Sequence, residues 1–397
     1  MARFRVNAPQ VIGLGCRLNI AESERIGEIL AGRRDTVVVN SCAVTAEAVR
    51  HTRRTIRKAR REHPSARLLV TGCAAETERA ALTAMPEVDA LVPNARKLFA
   101  AEYGAEVEAR STVGAPTRTR AFVAIQNGCD HACTFCIIPQ GRGASRSMTV
   151  EAVLAEIAVH RARGAAEIVL TGVDVTAWGA DLEGAPRLGT LVREILDGFP
   201  QLMRLRLSSL DGAEIDPLLF ELIAGEPRVM PHLHLSLQHG HDLILKRMKR
   251  RHSRAQAFDL VARLRARRPD IAIGADLIAG FPTESEEHHD ANLSLVRELG
   301  VVHGHIFPFS PRHDTPAARM PQVDPAIARA RAAKLRDAVA ATRAEWLASL
   351  VGTPLQVLAE KDGRGYAENY SRVATPGIAP GTIATITPTK LEDDLLA

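Results

Sequence analysis

Aromatic residues are scarce: 10 Phe, 3 Tyr and 2 Trp stand among 397 residues. Cores must therefore rest on Ala, Leu, Val and Ile, and Met and Trp are too sparse to suggest a cofactor box built on them. No uninterrupted apolar run approaches the roughly 18 residues of a membrane helix, which excludes such a span. The stretch Val11–Cys16, behind Arg3 and Arg5, faintly resembles a lipoprotein signal, but its apolar core is too short and Asn7–Gln10 interrupts it. Neither charge sign dominates: 51 Lys+Arg against 46 Asp+Glu leaves +5, too little for a histone-like polycation. Cysteine is also rare, at six. With no membrane segment the expected location is cytoplasmic. There thiols stay reduced, so six cysteines point to metal or catalysis before disulfides.

What is present is the ordinary mix of a globular chain, 46% hydrophobic and 24% charged, long enough for about two to three domains. The first hundred residues repeat one pattern three times. Val11–Cys16, Thr36–Cys42 and Leu68–Cys73 are each an apolar run ending in a cysteine, and a helix-like stretch follows each. These read as βα units on a parallel sheet, with helix starts at Ala21–Glu24, Thr45–Glu47 and Thr77–Glu78. Strand C-termini of such a sheet share one edge, so Cys16, Cys42 and Cys73 can meet in space. Arg110–Arg120 reads as a linker. Six further strands then alternate with helices: Ala121–Gln126, Glu167–Thr171, Met203–Ser208, His232–Leu237, Ala272–Ile278 and His303–Phe309. They predict a partial (β/α)6 barrel, closed by a long helix near Pro325–Leu350. Short strands broken by Gly and Pro make the tail a small all-β module. The expected class is α/β, with units over 1–110, 118–350 and 351–397.

The sharpest motif is Gly128-Cys129-Asp130-His131-Ala132-Cys133-Thr134-Phe135-Cys136. Three thiols spaced C-x3-C-x2-C in one loop can hold three irons of a 4Fe-4S cube and leave the fourth iron open to a substrate. A structural zinc site is the alternative; it needs a fourth ligand, and His131 supplies one by count.

At Cys129, Cys133, Phe135 and Cys136 the sequence resembles the radical S-adenosylmethionine (SAM) superfamily. The resemblance implies that SAM binds the open iron and is cleaved to methionine and a 5′-deoxyadenosyl radical. Three strand-end cysteines, the barrel and the β-rich tail together resemble the methylthiotransferases. So does Gly15-Cys16-Arg17-Leu18-Asn19 with Glu22-Ser23-Glu24. That family implies a second 4Fe-4S cluster on Cys16, Cys42 and Cys73, and an RNA-binding TRAM-like domain over the tail. All six cysteines are then used, three per cluster. One SAM would methylate sulfur, and a second would give the radical that takes hydrogen from C2 of adenine. Ile137–Ser147, Leu205–Leu210, Leu233–Gly240 and Leu245–His252 most resemble the threonylcarbamoyl, MtaB-type branch. The implied substrate is N6-threonylcarbamoyladenosine at position 37, in a tRNA anticodon loop. Isopentenyladenosine tRNA and a ribosomal protein are the other targets in the family, and a non-catalytic zinc and RNA-binding protein is the rival from another class. Electron and sulfur donors are required, and the sequence identifies neither.

The SAM contacts expected from strand ends are Thr171, Asp174, Ser208, Ser209, Gln238 and Phe307, with Phe135 in the cluster loop. Asp276 departs from the superfamily's fifth-strand motif. For each, the bland reading is a residue serving only its turn or core. Arg50–Arg61 packs seven cations into twelve residues, and Arg247–Arg254 is a second basic run. Both suit a phosphate backbone, or else a solvated helix face. The expected RNA contacts are Arg53, Arg54, Arg57, Lys58, Lys249 and Arg250, with Tyr366 and Tyr370 stacking on bases. Arg142, Arg146, Ser208, Ser209, His239 and Arg312 form a polar, basic set suited to the carboxylate of threonylcarbamoyl. Anaerobically purified protein should contain about eight irons and eight sulfides, and replacing Cys129, Cys133 and Cys136 by Ala should leave about half. One zinc without sulfide would refute the cluster assignment.

Overall fold

The computed structural model describes residues 8–105 and 118–397, so the expected linker lies, through residue 117, outside the described residues. The first unit is a parallel sheet of Gln10–Gly13, Thr36–Ser41, Arg67–Gly72 and Ala90–Leu91, in that order. Its central strands are β-branched and aliphatic, and Val37, Val39, Leu68 and Val70 are fully buried against Val49, Ile56 and Leu82. Burial on both faces is what a parallel sheet with crossover helices demands.

Two helix starts differ from expectation. The first helix, Arg17–Ile29, begins four residues before Ala21, directly after Cys16. Cys16 is its N-cap but makes no capping bond, so the Ser/Thr/Asp signal that marks a helix start is absent. The third helical stretch is two short helices, Cys73–Thr77 and Arg79–Thr83, broken at Glu78. Thr45 does cap the second helix, Ala46–Glu62, accepting from the Ala48 N–H.

Six parallel strands then run in sequence order: Arg120–Ala124, Glu167–Thr171, Leu205–Leu207 continued by Ser209–Leu210, His232–Gln238, Ala272–Ala279 and Val301–Pro308. They form a partial barrel. Along His232–Gln238 the side chains alternate. Leu233, Leu235 and Leu237 join the core under the helices, while His232, His234 and Ser236 make polar and ring contacts on the other face. The inside of this half of the barrel is therefore polar.

The tail is a mostly antiparallel sheet ordered Ile383–Ile386, Leu355–Ala359, Arg364–Ala367, Arg372–Ala374, Leu395–Leu396, Leu391–Glu392. It follows the helix Pro325–Ser349, whose Leu347 packs on Leu355, Val357 and Val373. Its dock on the barrel is ionic. Glu167, fully buried, holds Arg204 at 2.8 Å and Arg206 at 2.7 Å. Those guanidiniums donate to the carbonyls of Gln356, Tyr366, Ala367 and Glu368 in the tail. Among the described residues no helix is long and apolar enough to cross a membrane.

Burial alone would raise the Glu167 pKa, but Arg206 and Arg204 hold it down at about 2, against an ordinary 4.5. A depressed carboxylate stabilises the fold fully above its unfolded pKa and loses that effect as pH falls through the folded value. Glu167→Ala should therefore cost about 3–5 kcal/mol near neutral pH, because two buried guanidiniums lose their partner. The gap to the parent should close between pH 4.5 and 2. Denaturant unfolding across that range reads it; equal stabilities at pH 7 would mean that Glu167 does not hold the dock.

Candidate functional site

Each thiol of the first triad stands where a strand ends. Cys16 caps its helix, Cys42 follows Thr36–Ser41, and Cys73 opens Cys73–Thr77. Together they line a cavity of about 340 Å³. The approach is tight: Gly15 has φ 91°, and a Cβ there would lie 2.8 Å from the Cys42 sulfur. Glycine is the residue that adopts this backbone with no side chain to clash.

The second triad sits in the loop after Arg120–Ala124. Its backbone is tied at both ends: Cys129 N–H donates to Gly143 O at 3.1 Å, and Thr134 N–H to Met248 O at 3.2 Å. The Thr134 hydroxyl donates to Arg247 O at 2.8 Å. At Gly128, with φ 76°, a Cβ would meet Ala144 O at 1.9 Å. Cys129, Cys133 and Cys136 line a cavity of about 150 Å³ with Asp174 and Arg250. Phe135, Ile138, Val173 and Gln238 line both cavities and so form their common wall. Gln238 reaches this position with φ 65°.

The donor set fits clusters with an open position. Each cavity presents three thiols from this chain. Burial raises the Cys42 pKa, pushes Cys129 to about 12 and Cys136 to about 11, so binding a metal here must expel protons. His131, the fourth ligand of the zinc alternative, lies 2.5 Å from Asp174. Hydrogen bonding to Asp174 and then Glu214 holds its pKa up at about 10, and Cys129, His131 and Asp174 together offer ligand atoms within 4.8 Å of one another.

Among the expected SAM contacts, Phe135, Asp174, Gln238 and Phe307 line one or both cavities. Thr171 and Ser208 are buried in the barrel wall. Ser209 turns inward and donates to Asp276 at 3.0 Å.

Several expectations need correction. Arg250 is not an RNA contact: its side chain is 8% exposed and lies in the thiol cavity. It donates to Asp211 at 2.8 Å and to Ser236 O at 2.9 Å, and reaches Cys133 Sγ at 3.6 Å. Tyr366 and Tyr370 stack on each other, with ring centroids 4.8 Å apart, under Arg120. Tyr370 also stacks on His232 and accepts from Arg17 at 3.0 Å, so it fills the dock between units instead of awaiting a base. The basic set proposed for a carboxylate is largely consumed. Arg142 is paired with Glu22, Arg312 with Glu78 and His239 with Glu284, all three cations buried, whereas Arg146 stays exposed. On the basic helix, Arg53, Arg54, Arg57 and Lys58 remain at the surface, each beside a glutamate. Lys249 is exposed.

Charge pattern along the sequence does not reveal what joins the triads. Arg142 donates to Glu22 at 2.9 Å, to Asn19 at 2.5 Å and to Asn127 at 2.7 Å. Lys97 meets Glu22 at 2.5 Å from the other side. Asn19 also donates to Leu14 O and Ser41 O, beside Cys16 and Cys42. Burial alone would raise the Glu22 pKa; Lys97 and Arg142 overcome this and hold it below the ordinary value.

The chain is similar to known proteins along most of its length. Residues 123–296 match the model of the radical SAM superfamily, and residues 9–93 match uncharacterized protein family UPF0004. The chain is 42% identical over 377 residues to the threonylcarbamoyladenosine tRNA methylthiotransferase MtaB of Rickettsia prowazekii, covering 91% of this chain and 90% of that protein. It is 33% identical over 416 residues to the tRNA-2-methylthio-N(6)-dimethylallyladenosine synthase of Cereibacter sphaeroides, covering 94% and 93%. Among solved structures, the radical SAM methyltransferase TsrM of Kitasatospora setae shares the fold in two complexes. TM-scores are 0.54 and 0.53 at 17% and 16% identity; the match covers 75% of this chain and 66% and 68% of theirs.

The buried network generates its own test. Arg142→Ala strands Glu22 with only Lys97 and should lower stability by about 3–5 kcal/mol in denaturant unfolding. Wild-type stability in that variant would show that the ion pair does not brace the two triads.

Proposed function

The chain belongs to the radical SAM methylthiotransferases, and from that premise we propose how its residues divide the work. It is a tRNA methylthiotransferase acting by radical SAM chemistry. The observation that carries the division is the pair of adjoining cavities, each lined by three thiols and sharing one wall. Cys129, Cys133 and Cys136 would hold one 4Fe-4S cluster, and Cys16, Cys42 and Cys73 the other. When bound, the first supplies the one-electron cleavage of SAM, and the second an iron at which sulfur can sit.

The chain's own residues do the rest. Phe135 and Gln238 separate the two cavities while bounding both, so a base placed at that wall is within reach of both. Asp174 puts a carboxylate beside Cys129, where a cationic amino group of SAM would be neutralised. Its partner His131 fixes its direction. Arg250, braced by Asp211, places a cation against Cys133, next to the position a SAM carboxylate would take. Leu18, Ile138, Ile278, Phe307 and Phe309 give the larger cavity an apolar lining against which a base can pack. Thr171 and Ser208 support the wall from within it. Electrons and sulfur come from donors outside this chain.

The target is N6-threonylcarbamoyladenosine at position 37 of tRNA. Support comes from the ordering of relatives: 42% identity to the protein named for that nucleoside, 33% to the one named for dimethylallyladenosine. A base already splayed from an anticodon loop enters at small unstacking cost. Purified enzyme should methylthiolate tRNA bearing threonylcarbamoyl and leave isopentenyl-bearing tRNA unchanged, read by nucleoside mass spectrometry. Efficient reaction of the isopentenyl form would overturn the target and leave the chemistry standing.

The helix Ala46–Glu62 is the RNA-facing element of this reading, with Lys249 adding a cation on the barrel. Arg53, Arg54, Arg57 and Lys58 stay exposed along it, and phosphates can displace their weak glutamate partners. Neutralising these four should flatten the salt dependence of tRNA binding by roughly 0.7–0.9 in log–log slope per lost phosphate contact. An unchanged slope would mean a merely solvated face.

A further inference from the structure

Inside the barrel lies a cluster that neither thiol triad uses. His234 Nε2 and His305 Nδ1 meet the same oxygen of Asp276, at 3.1 and 3.0 Å. The Ser209 hydroxyl donates to the other oxygen at 3.0 Å. Burial alone would raise the Asp276 pKa, but hydrogen bonds from both imidazoles hold it well below the usual carboxylate range. An ionised carboxylate only accepts, so the ring nitrogens facing it carry their protons and offer no lone pair. Those contacts describe a hydrogen-bonded relay.

The two imidazoles differ in surroundings. The His234 side chain is 7% exposed, that of His305 62%. With Nδ1 engaged by Asp276, His305 presents Nε2 outward, where no partner stands among the described residues. His305 lies two residues before Phe307 on one strand, hence on the same face. Phe307 and Asp276 both line the cavity of Cys16, Cys42 and Cys73. Of the other cations at this end, Arg142 is taken by Glu22, Arg312 by Glu78, Arg250 by Asp211 and His239 by Glu284, and Arg146 is exposed in the loop behind Arg142.

We propose that His305, oriented by Asp276, recognises the carboxylate of the threonylcarbamoyl group at its outward Nε2, the carboxylate bringing the ring its second proton, and so selects the anionic nucleoside over apolar ones. This rests on the threonylcarbamoyl reading above. The relay suits that role, because Asp276 fixes the ring through Nδ1, so the outward nitrogen is already aimed when the base arrives. His305 is a specificity residue; Asp276 positions it.

The test uses full-length protein carrying its clusters and synthetic anticodon stem-loops, with threonylcarbamoyladenosine, adenosine or isopentenyladenosine at position 37. Fluorescence anisotropy at one fixed salt concentration gives the three affinities. The parent should prefer the threonylcarbamoyl loop. His305→Ala and His305→Gln should each weaken that loop about tenfold, the size of one hydrogen bond to a charged group, and bring its ratio to the adenosine loop near one. Asp276→Asn should lower the same ratio, and should add nothing once His305 is Ala, since a residue acting through His305 has no effect without it. A parent that discriminates while both His305 variants keep its ratio would overturn this inference alone. A parent with no preference would overturn the target reading together with it.

Discussion

Glu22 is a carboxylate with its side chain 2% exposed, and its neighbours belong to two separate parts of the chain. Leaving it unpaired there would cost several kcal/mol, so Lys97 and Arg142 must both be present and correctly placed. Arg142 follows the Cys129–Cys136 loop, whereas Glu22 sits on the helix that Cys16 caps. Meeting one electrostatic requirement therefore fixes the distance between two thiol triads that share no local sequence. Asn19 and Asn127 tighten this by taking further donors of Arg142.

The same device recurs at the opposite end of the barrel. Glu167 is a buried carboxylate flanked by two arginines, and their spare donors grip backbone carbonyls of the tail sheet. A chain with 4% aromatics has few large rings to spend on interfaces, and it joins its units through buried arginines. Tyr366 and Tyr370 are drawn into that joint, stacked beneath Arg120. Their absorption takes both rings into the joint between units.

Arginine content explains why several side chains differ from their surface expectation. Arg250, Arg142 and Arg312 look like free cations in sequence because each partner is distant along the chain: Asp211, Glu22 and Glu78. Once paired, Arg142 and Arg312 present no free charge at the surface, and Arg250 is turned into the thiol cavity. Arg53, Arg54, Arg57 and Lys58 lie in a continuous run whose cations outnumber its local acids, so they stay on the surface as patterning implies. The inner face of the barrel then falls to imidazoles, carboxylates and serines.

Local patterning by itself determined the βα repeat, the alternation of six barrel strands and the β-rich tail. These follow from short-range hydrophobic period and from turn residues. It also determined the cysteine loop, because C-x3-C-x2-C places three thiols together whatever the rest of the chain does. The start of the first helix was not legible: Cys16 occupies the cap without bonding it, and what holds that turn is burial of Leu18, Asn19 and Glu22. Only the tertiary structure decided that the two triads face adjoining cavities, that Arg250 belongs to the thiol loop, and that His305 meets Asp276 with its ring exposed. Each depends on which acid meets which base across the fold. That pairing is set by burial and distance, and neither is encoded in local sequence period.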